Sequence, residues 1–167
     1  VYDQNSDIPS AAGLRVGIAV SRYHGTITTA LHQGATDAFT EAGGRGEDIL
    51  LASTPGAFEL PVVCKALADR EDLDAVVALA CVVRGETPHD QYICEAVSRE
   101  LARISVDSGK PVAFGVLTCL DLDQARERAG GSRGNKGAEA MAAAIGTVHA
   151  LRAIAGSTEP SAHVHRP

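Results

Sequence analysis

The stretch 74–109, DAVVALACVVRGETPHDQYICEAVSRELARISVDSG, carries both of the periodicities from which the rest of the chain can be read. Residues 74–83 are an almost unbroken apolar run of strand length, as expected for a strand buried on both faces of a parallel sheet. Residues 88–107 set Ile93, Val97, Leu101 and Ile104 in one stripe at helical spacing. Between them lies RGETPH, residues 84–89, short enough to be a single strand-to-helix loop. A buried strand feeding directly into an amphipathic helix is half of a βαβ unit.

The same alternation recurs on both sides. Strands are predicted at 14–21, 48–53, 74–83 and 111–118. A helix at 26–42 carries Ile27, Leu31, Ala35, Ala38 and Phe39 on one face, with Gly43 and Gly44 as its stop. Further helices are predicted at 58–70, 122–129 and 136–155, the last with Met141, Ile145, Val148 and Leu151 inward. A Gly-rich link, residues 130–134, separates the last two. Right-handed crossovers then give an α/β fold, a three-layer α/β/α sandwich on a four-stranded parallel sheet. The expected limits are an arm at 1–13, one domain at 14–156 and a loose, disordered tail at 157–167.

Composition narrows the function classes. A chain of 167 residues is the size of one domain, and 45% apolar against 22% charged residues excludes a disordered polyelectrolyte. With 4% aromatic residues and no Trp, the core has to be built from Ala, Val, Leu and Ile, which suits closely packed helices. A net charge of −6 with scattered Lys and Arg leaves no footprint for nucleic acid or an anionic membrane. The longest apolar run, 75–83, is less than half of the roughly 20 residues that a membrane helix needs, so a soluble protein is expected. The N-terminus lacks a secretory pattern, and Val1 in place of Met points to a trimmed start. Cys64, Cys81, Cys94 and Cys119 have neither metal spacing nor disulfide density; they read as free, mostly buried thiols in a reducing cytoplasm.

Ligands on parallel sheets bind outside the carboxyl ends of the strands, which directs attention to 21–26, 54–59, 84–89 and 118–121. In RGETPH, Thr87 suits an N-cap, Pro88 the first helical position, and Asp90 imitates a capping box. His89 is left unexplained by capping. It is either a helix-start residue or a general base, since the dipole there disfavours a second positive charge and a base needs a neutral ring. Backbone N–H groups of Gly85, Glu86 and Thr87 can hold a phosphate. In TPGAFELP, residues 54–61, Gly56 lets the backbone approach a ligand, and Glu59 is either a first-turn carboxylate or a ligand contact. In SRYHGT, residues 21–26, Tyr23 either stacks on a planar heterocycle or covers a loop. GGSRGNKG, residues 130–137, follows a helix and has Asn135 where GxxxxGK[ST] needs its second Gly, so it is not a nucleotide P-loop. Arg128 and Lys136 remain as anion or carbonyl contacts, or as solvated charges. His163 and His165 lack a third ligand for a metal ion.

Taken together and in this order, these segments resemble the 6,7-dimethyl-8-ribityllumazine synthase family of riboflavin biosynthesis. The resemblance spans residues 14–155 and rests on PGAFELP at 55–61, VRGETPH at 83–89, FGVLT at 114–118, QARERAG at 124–130 and GNKGAEA at 134–140. It implies a flavodoxin-like fold and a cofactor-free transferase that condenses 5-amino-6-(ribitylamino)uracil with 3,4-dihydroxy-2-butanone 4-phosphate, releasing phosphate and water. By resemblance, Tyr23 stacks on the pyrimidine with His24 beside it. Ala57, Phe58 and Glu59 bind the ribityl chain, and Cys81, Val82 and Val83 line the heterocycle site. Gly85, Glu86 and Thr87 meet the phosphate, and His89 shuttles protons. Phe114, Arg128 and Lys136 come from a neighbouring subunit, with Glu139 supporting Arg128. The implied assembly is a pentamer, and the short link at 130–135 favours twelve of them in a sixty-subunit shell. The chain departs from the family pattern at Asp90 and Gln91, at Ala80 in place of Gly, and at Tyr23 and His24 in place of Phe and Asn. Two other classes fit the α/β/α pattern: a flavin-binding electron-transfer module, and an idle cage or flavin store that kept the fold.

Overall fold

A computed structural model describes residues 9–157. The chain runs β1 (Val16–Ser21), α1 (Gly25–Glu41), a 3₁₀ turn (Gly46–Asp48), β2 (Ile49–Thr54), α2 (Leu60–Ala68), β3 (Ala75–Val83), α3 (His89–Ser108) and β4 (Val112–Cys119). It ends with α4 (Leu122–Arg128), β5 (Ala129–Gly131), β6 (Gly134–Asn135) and α5 (Lys136–Gly156). The four long strands pair in parallel in the order β2-β1-β3-β4, with Val16 opposite both Ile49 and Ala75. This is the flavodoxin-like order, and it bears out the three-layer α/β/α expectation.

Why β3 reads as a continuous apolar run is now explicit. Ala75, Val77, Leu79 and Cys81 face one core with Ile27, Leu31 and Phe39 of α1 and Met141 and Ile145 of α5. Val76, Ala78, Ala80 and Val82 face the other, with Leu60, Cys64 and Leu67 of α2 and Val97, Leu101 and Ile104 of α3. Both faces are covered, so period-two alternation disappears. Each fully buried Leu or Ile contributes about 1.5–3 kcal/mol. By contrast, the ion pairs Arg15–Asp72, Arg45–Asp48, Arg70–Asp72 and Arg152–Asp74 lie at the amino ends of the strands with exposed arginines, Asp48 and Asp74 being half-buried, and surface pairs are worth about 0–1 kcal/mol each.

Several local expectations are corrected. The helix predicted at 58–70 begins at Leu60, because Pro61 belongs to the first turn, where its missing N–H is tolerated. Glu59 is therefore the residue before that helix. Thr87 does not cap α3: the N-cap is Pro88, whose carbonyl accepts from the N–H of Gln91 and Tyr92, and no side chain reaches the helix start. Leu151 is 41% exposed, since the inward face of α5 ends at Val148. The link at 130–134 is a small antiparallel hairpin pairing Ala129 with Asn135 and Gly131 with Gly134. Ala11 is fully buried and its N–H donates to the carbonyl of Ala42 at 2.8 Å, so packing starts before residue 14. Residues 1–8 and 158–167, including His163 and His165, lie outside the described residues. No described helix is long and apolar enough to cross a membrane.

Asn135 explains how α5 is set against α1. Its Oδ1 accepts from the N–H of Gly137 and Ala138 at 2.8 and 3.3 Å, and its Nδ2 donates to the carbonyl of Ala30 at 2.9 Å. Such contact needs bare backbone on both helices. A Cβ on Gly137 would lie 1.9 Å from the Leu31 carbonyl oxygen, and one on Gly34 would lie 2.3 Å from the Asn135 amide.

Candidate active site

The crossover from β1 through α1 to β2 lies on one sheet face, and that from β2 through α2 to β3 lies on the other. The direction in which strands are added to the sheet thus reverses between the parallel neighbours β1 and β3, and a crevice opens at their carboxyl ends. There a cavity of about 640 Å³ is bounded by three of the four segments singled out from sequence; the fourth, 118–121, borders the adjoining recess instead. Tyr23 and His24 come from the β1–α1 turn, and Gly56, Ala57, Phe58 and Glu59 from the β2–α2 turn. Cys81, Val82, Val83, Arg84, Gly85 and Thr87 come from the end of β3 and its loop, and His89, Asp90 and Ile93 from α3. This volume is within the range of small-molecule sites. A shallower recess of about 260 Å³ adjoins it, sharing Val82, Arg84 and Asp90.

Local chemistry gives the cavity two different ends. At one, Tyr23 and Phe58 are 65% and 62% exposed, bare aromatic faces on a chain with few aromatic residues. At the other, the backbone N–H groups of Gly85, Glu86 and Thr87 have no acceptor among the described residues. They precede the N-terminus of α3, whose dipole adds a positive field. His89 is the first residue of that helix and is exposed toward the cavity. The Glu59 carboxylate folds back over its own turn, with Oε2 3.0 Å from where a Cβ on Gly56 would sit. Thr54 Oγ1 donates to the Gly56 carbonyl at 2.7 Å and holds that turn closed.

The Cys81 thiol on the cavity wall is pushed up to about 11, first by burial and then by Cys119. It stays protonated at neutral pH and lines the wall as a small apolar group. Burial pushes Cys64 up to about 12. All four cysteines are free.

Not every expected residue meets in one chain. Glu86 is exposed beside the cavity without lining it, and Phe114, Arg128 and Lys136 do not line it either. Phe114 is 46% exposed on β4. Arg128 Nη1 donates to the Gln124 carbonyl at 3.1 Å. Lys136 Nζ is 2.5 Å from Glu139 Oε2, so Glu139 pairs with Lys136 and does not support Arg128 within the chain. Sequence reasoning also missed Arg84, Asp90 and Ile93 as wall residues. For Ile93 the signal was present: it follows His89 by four positions and so shares its helix face.

A family model described as 6,7-dimethyl-8-ribityllumazine synthase matches residues 13–152, and so covers the sheet, the cavity and the hairpin. The chain belongs to the 6,7-dimethyl-8-ribityllumazine synthase family. Among its relatives, the 6,7-dimethyl-8-ribityllumazine synthase of Thermus thermophilus is 48% identical over 149 residues, 89% of this chain and 95% of the relative. The lumazine synthase of Syntrophus aciditrophicus is 49% identical over 144 residues, 86% and 94% of the two chains. That of Aquifex aeolicus is 45% identical over 145 residues, 87% and 94%. This chain is accordingly an enzyme of the lumazine synthase type.

Proposed function

We propose that the chain condenses 5-amino-6-(ribitylamino)uracil with 3,4-dihydroxy-2-butanone 4-phosphate to 6,7-dimethyl-8-ribityllumazine, releasing phosphate and water, in riboflavin biosynthesis in the cytoplasm. The observation that carries this reading is the two-ended cavity. A planar pyrimidine suits the exposed faces of Tyr23 and Phe58, and a phosphate suits the free N–H groups of Gly85, Glu86 and Thr87. Ala57, Phe58 and Glu59 form the turn along which a ribityl chain runs, and Cys81, Val82 and Val83 are the apolar floor beneath the heterocycle. His24 completes the wall beside Tyr23.

The chemistry asks for one carbon–nitrogen condensation, loss of phosphate, ring closure and several proton transfers, with no redox change. Holding the amine against the ketone can remove roughly 7–11 kcal/mol of barrier when the geometry is ideal, whereas a general base supplies about 10²–10⁴-fold. Orientation dominates, and His89 moves protons at the phosphate end. No cofactor is required.

Phe114, Arg128 and Lys136 enter from a second copy. Their absence from the cavity of one chain supports this reading, as do the bare side chains of Leu50 and Leu51 on edge strand β2, 36% and 50% exposed. Each copy then gives and receives a set of residues, a head-to-tail arrangement that closes as a ring, here a pentamer. The short hairpin between α4 and α5 carries no insertion and favours twelve pentamers in a sixty-subunit shell.

The test is direct. Purified protein is mixed with both substrates, and lumazine fluorescence and phosphate release are followed together. Acceleration of both in equal amounts is expected. A rate no faster than the uncatalysed background overturns the enzyme reading, and a yellow protein with tightly held FMN would place it among flavin carriers.

A further inference from the structure

The β1–α1 turn contains a feature that the reaction chemistry leaves unused. The chain is pinned up to Tyr23: the Arg22 N–H donates to the Thr54 carbonyl at 2.8 Å, and the Tyr23 N–H to Oγ of buried Ser21 at 3.1 Å. His24 then turns into the left-handed region, φ 56 and ψ 49, where it is alone among the described non-glycine residues. Its carbonyl accepts from the N–H of Ile27 and Thr28 and so starts α1, but its ring makes no cap to the helix. Instead the imidazole lies edge-on to the Tyr23 ring, centroids 4.6 Å apart and planes at 72°. No other aromatic pair occurs among the described residues.

Within its own chain, an aromatic ring 65% exposed has too little core around it to fix its plane. A stacking platform, however, works only if that plane is held before the ligand arrives. Glycine or asparagine fits a left-handed turn at least as well as histidine, so the backbone alone gives no reason for an imidazole here.

We infer that His24 is a positioning residue, whose ring fixes the plane of Tyr23 for stacking on the planar heterocyclic substrate. This rests on the reading of the cavity given above. The role needs an aromatic ring at position 24 and no proton transfer from it.

Three variants separate the possibilities: His24→Gly, His24→Asn and His24→Phe. Lumazine formation by the unmodified chain is measured first, and failure there counts against the enzyme reading rather than against His24. The Gly and Asn variants are expected to keep their unfolding midpoint and to raise KM for the aminouracil about three- to tenfold, the scale of one edge-to-face pair. KM for the phosphorylated butanone and the pH profile of kcat should not move. His24→Phe should return KM to within about twofold of the parent. Near-UV circular dichroism adds a readout free of activity: the Gly variant should lose tyrosine intensity and the Phe variant keep it. Unchanged KM and dichroism in both Gly and Asn variants would overturn the proposal. So would a Phe variant that fails to rescue while the kcat pH profile shifts, which would make the imidazole itself the working group.

Discussion

At the residue scale, His89 and Arg128 show what side-chain placement can and cannot do alone. His89 starts α3 at the cavity, so on the proposed mechanism His89→Ala takes away the proton shuttle while leaving the aromatic faces and free amides in place. Turnover is expected to fall about 10–10³-fold with the fold intact, checked by steady-state kinetics beside circular dichroism. An unchanged turnover would make His89 a helix-start residue only. Among the described residues the Arg128 guanidinium makes a single hydrogen bond, to the Gln124 carbonyl, which leaves donors for an anion. Arg128→Ala should raise KM for the phosphorylated butanone at least tenfold and that for the aminouracil much less. Equal rises in both would assign Arg128 to subunit packing. The residues differ in how far the sequence exposed them. Tyr23 stood out because aromatic residues are rare, and Gly85 to Thr87 because a strand-to-helix loop presents amides. Thr87 was misread as a cap because side-chain capping depends on a one-residue offset that Pro88 takes up. Phe114 and Lys136 had no geometric signal at all, since within one chain they stand apart from the cavity.

At the element scale, strong periodicity was the reliable guide. β3 and α3 were legible because a doubly covered strand is apolar throughout and a one-sided helix repeats every three to four residues. The β5–β6 hairpin was not, because strands of two or three residues made largely of glycine carry no alternation to read. Asn135 was seen only as the residue that spoils a phosphate-loop pattern; its positive role appears once α1 and α5 lie side by side. Asn135→Ala removes an N-cap, worth about 1 kcal/mol, and the bond to the Ala30 carbonyl, worth about another. A loss of about 2 kcal/mol is expected, read from the urea midpoint at constant protein concentration. Loss of less than about 0.5 kcal/mol would mean that water replaces the clamp.

At the scale of the whole molecule, the described residues present an open cavity, a bare edge strand and three residues, Phe114, Arg128 and Lys136, that do not line that cavity. If copies complete one another, light scattering in mild buffer should find a single large closed species. A species near five subunits would refute the shell and keep the shared site, while an active monomer would refute both. The distribution of charge pairs also has an outcome for how this protein can change. Arg15, Arg45, Arg70, Asp48, Asp72, Asp74 and Arg152 gather at the amino ends of the strands, whereas every cavity loop leaves a carboxyl end. These ion pairs and the residues that line the cavity therefore sit at opposite rims of the sheet. Activity and robustness are often traded against each other in evolving enzymes, because one neighbourhood has to serve both. Here the full length of a strand separates this cluster of ion pairs from the cavity, and substitutions within the cluster can accumulate without passing through the cavity loops.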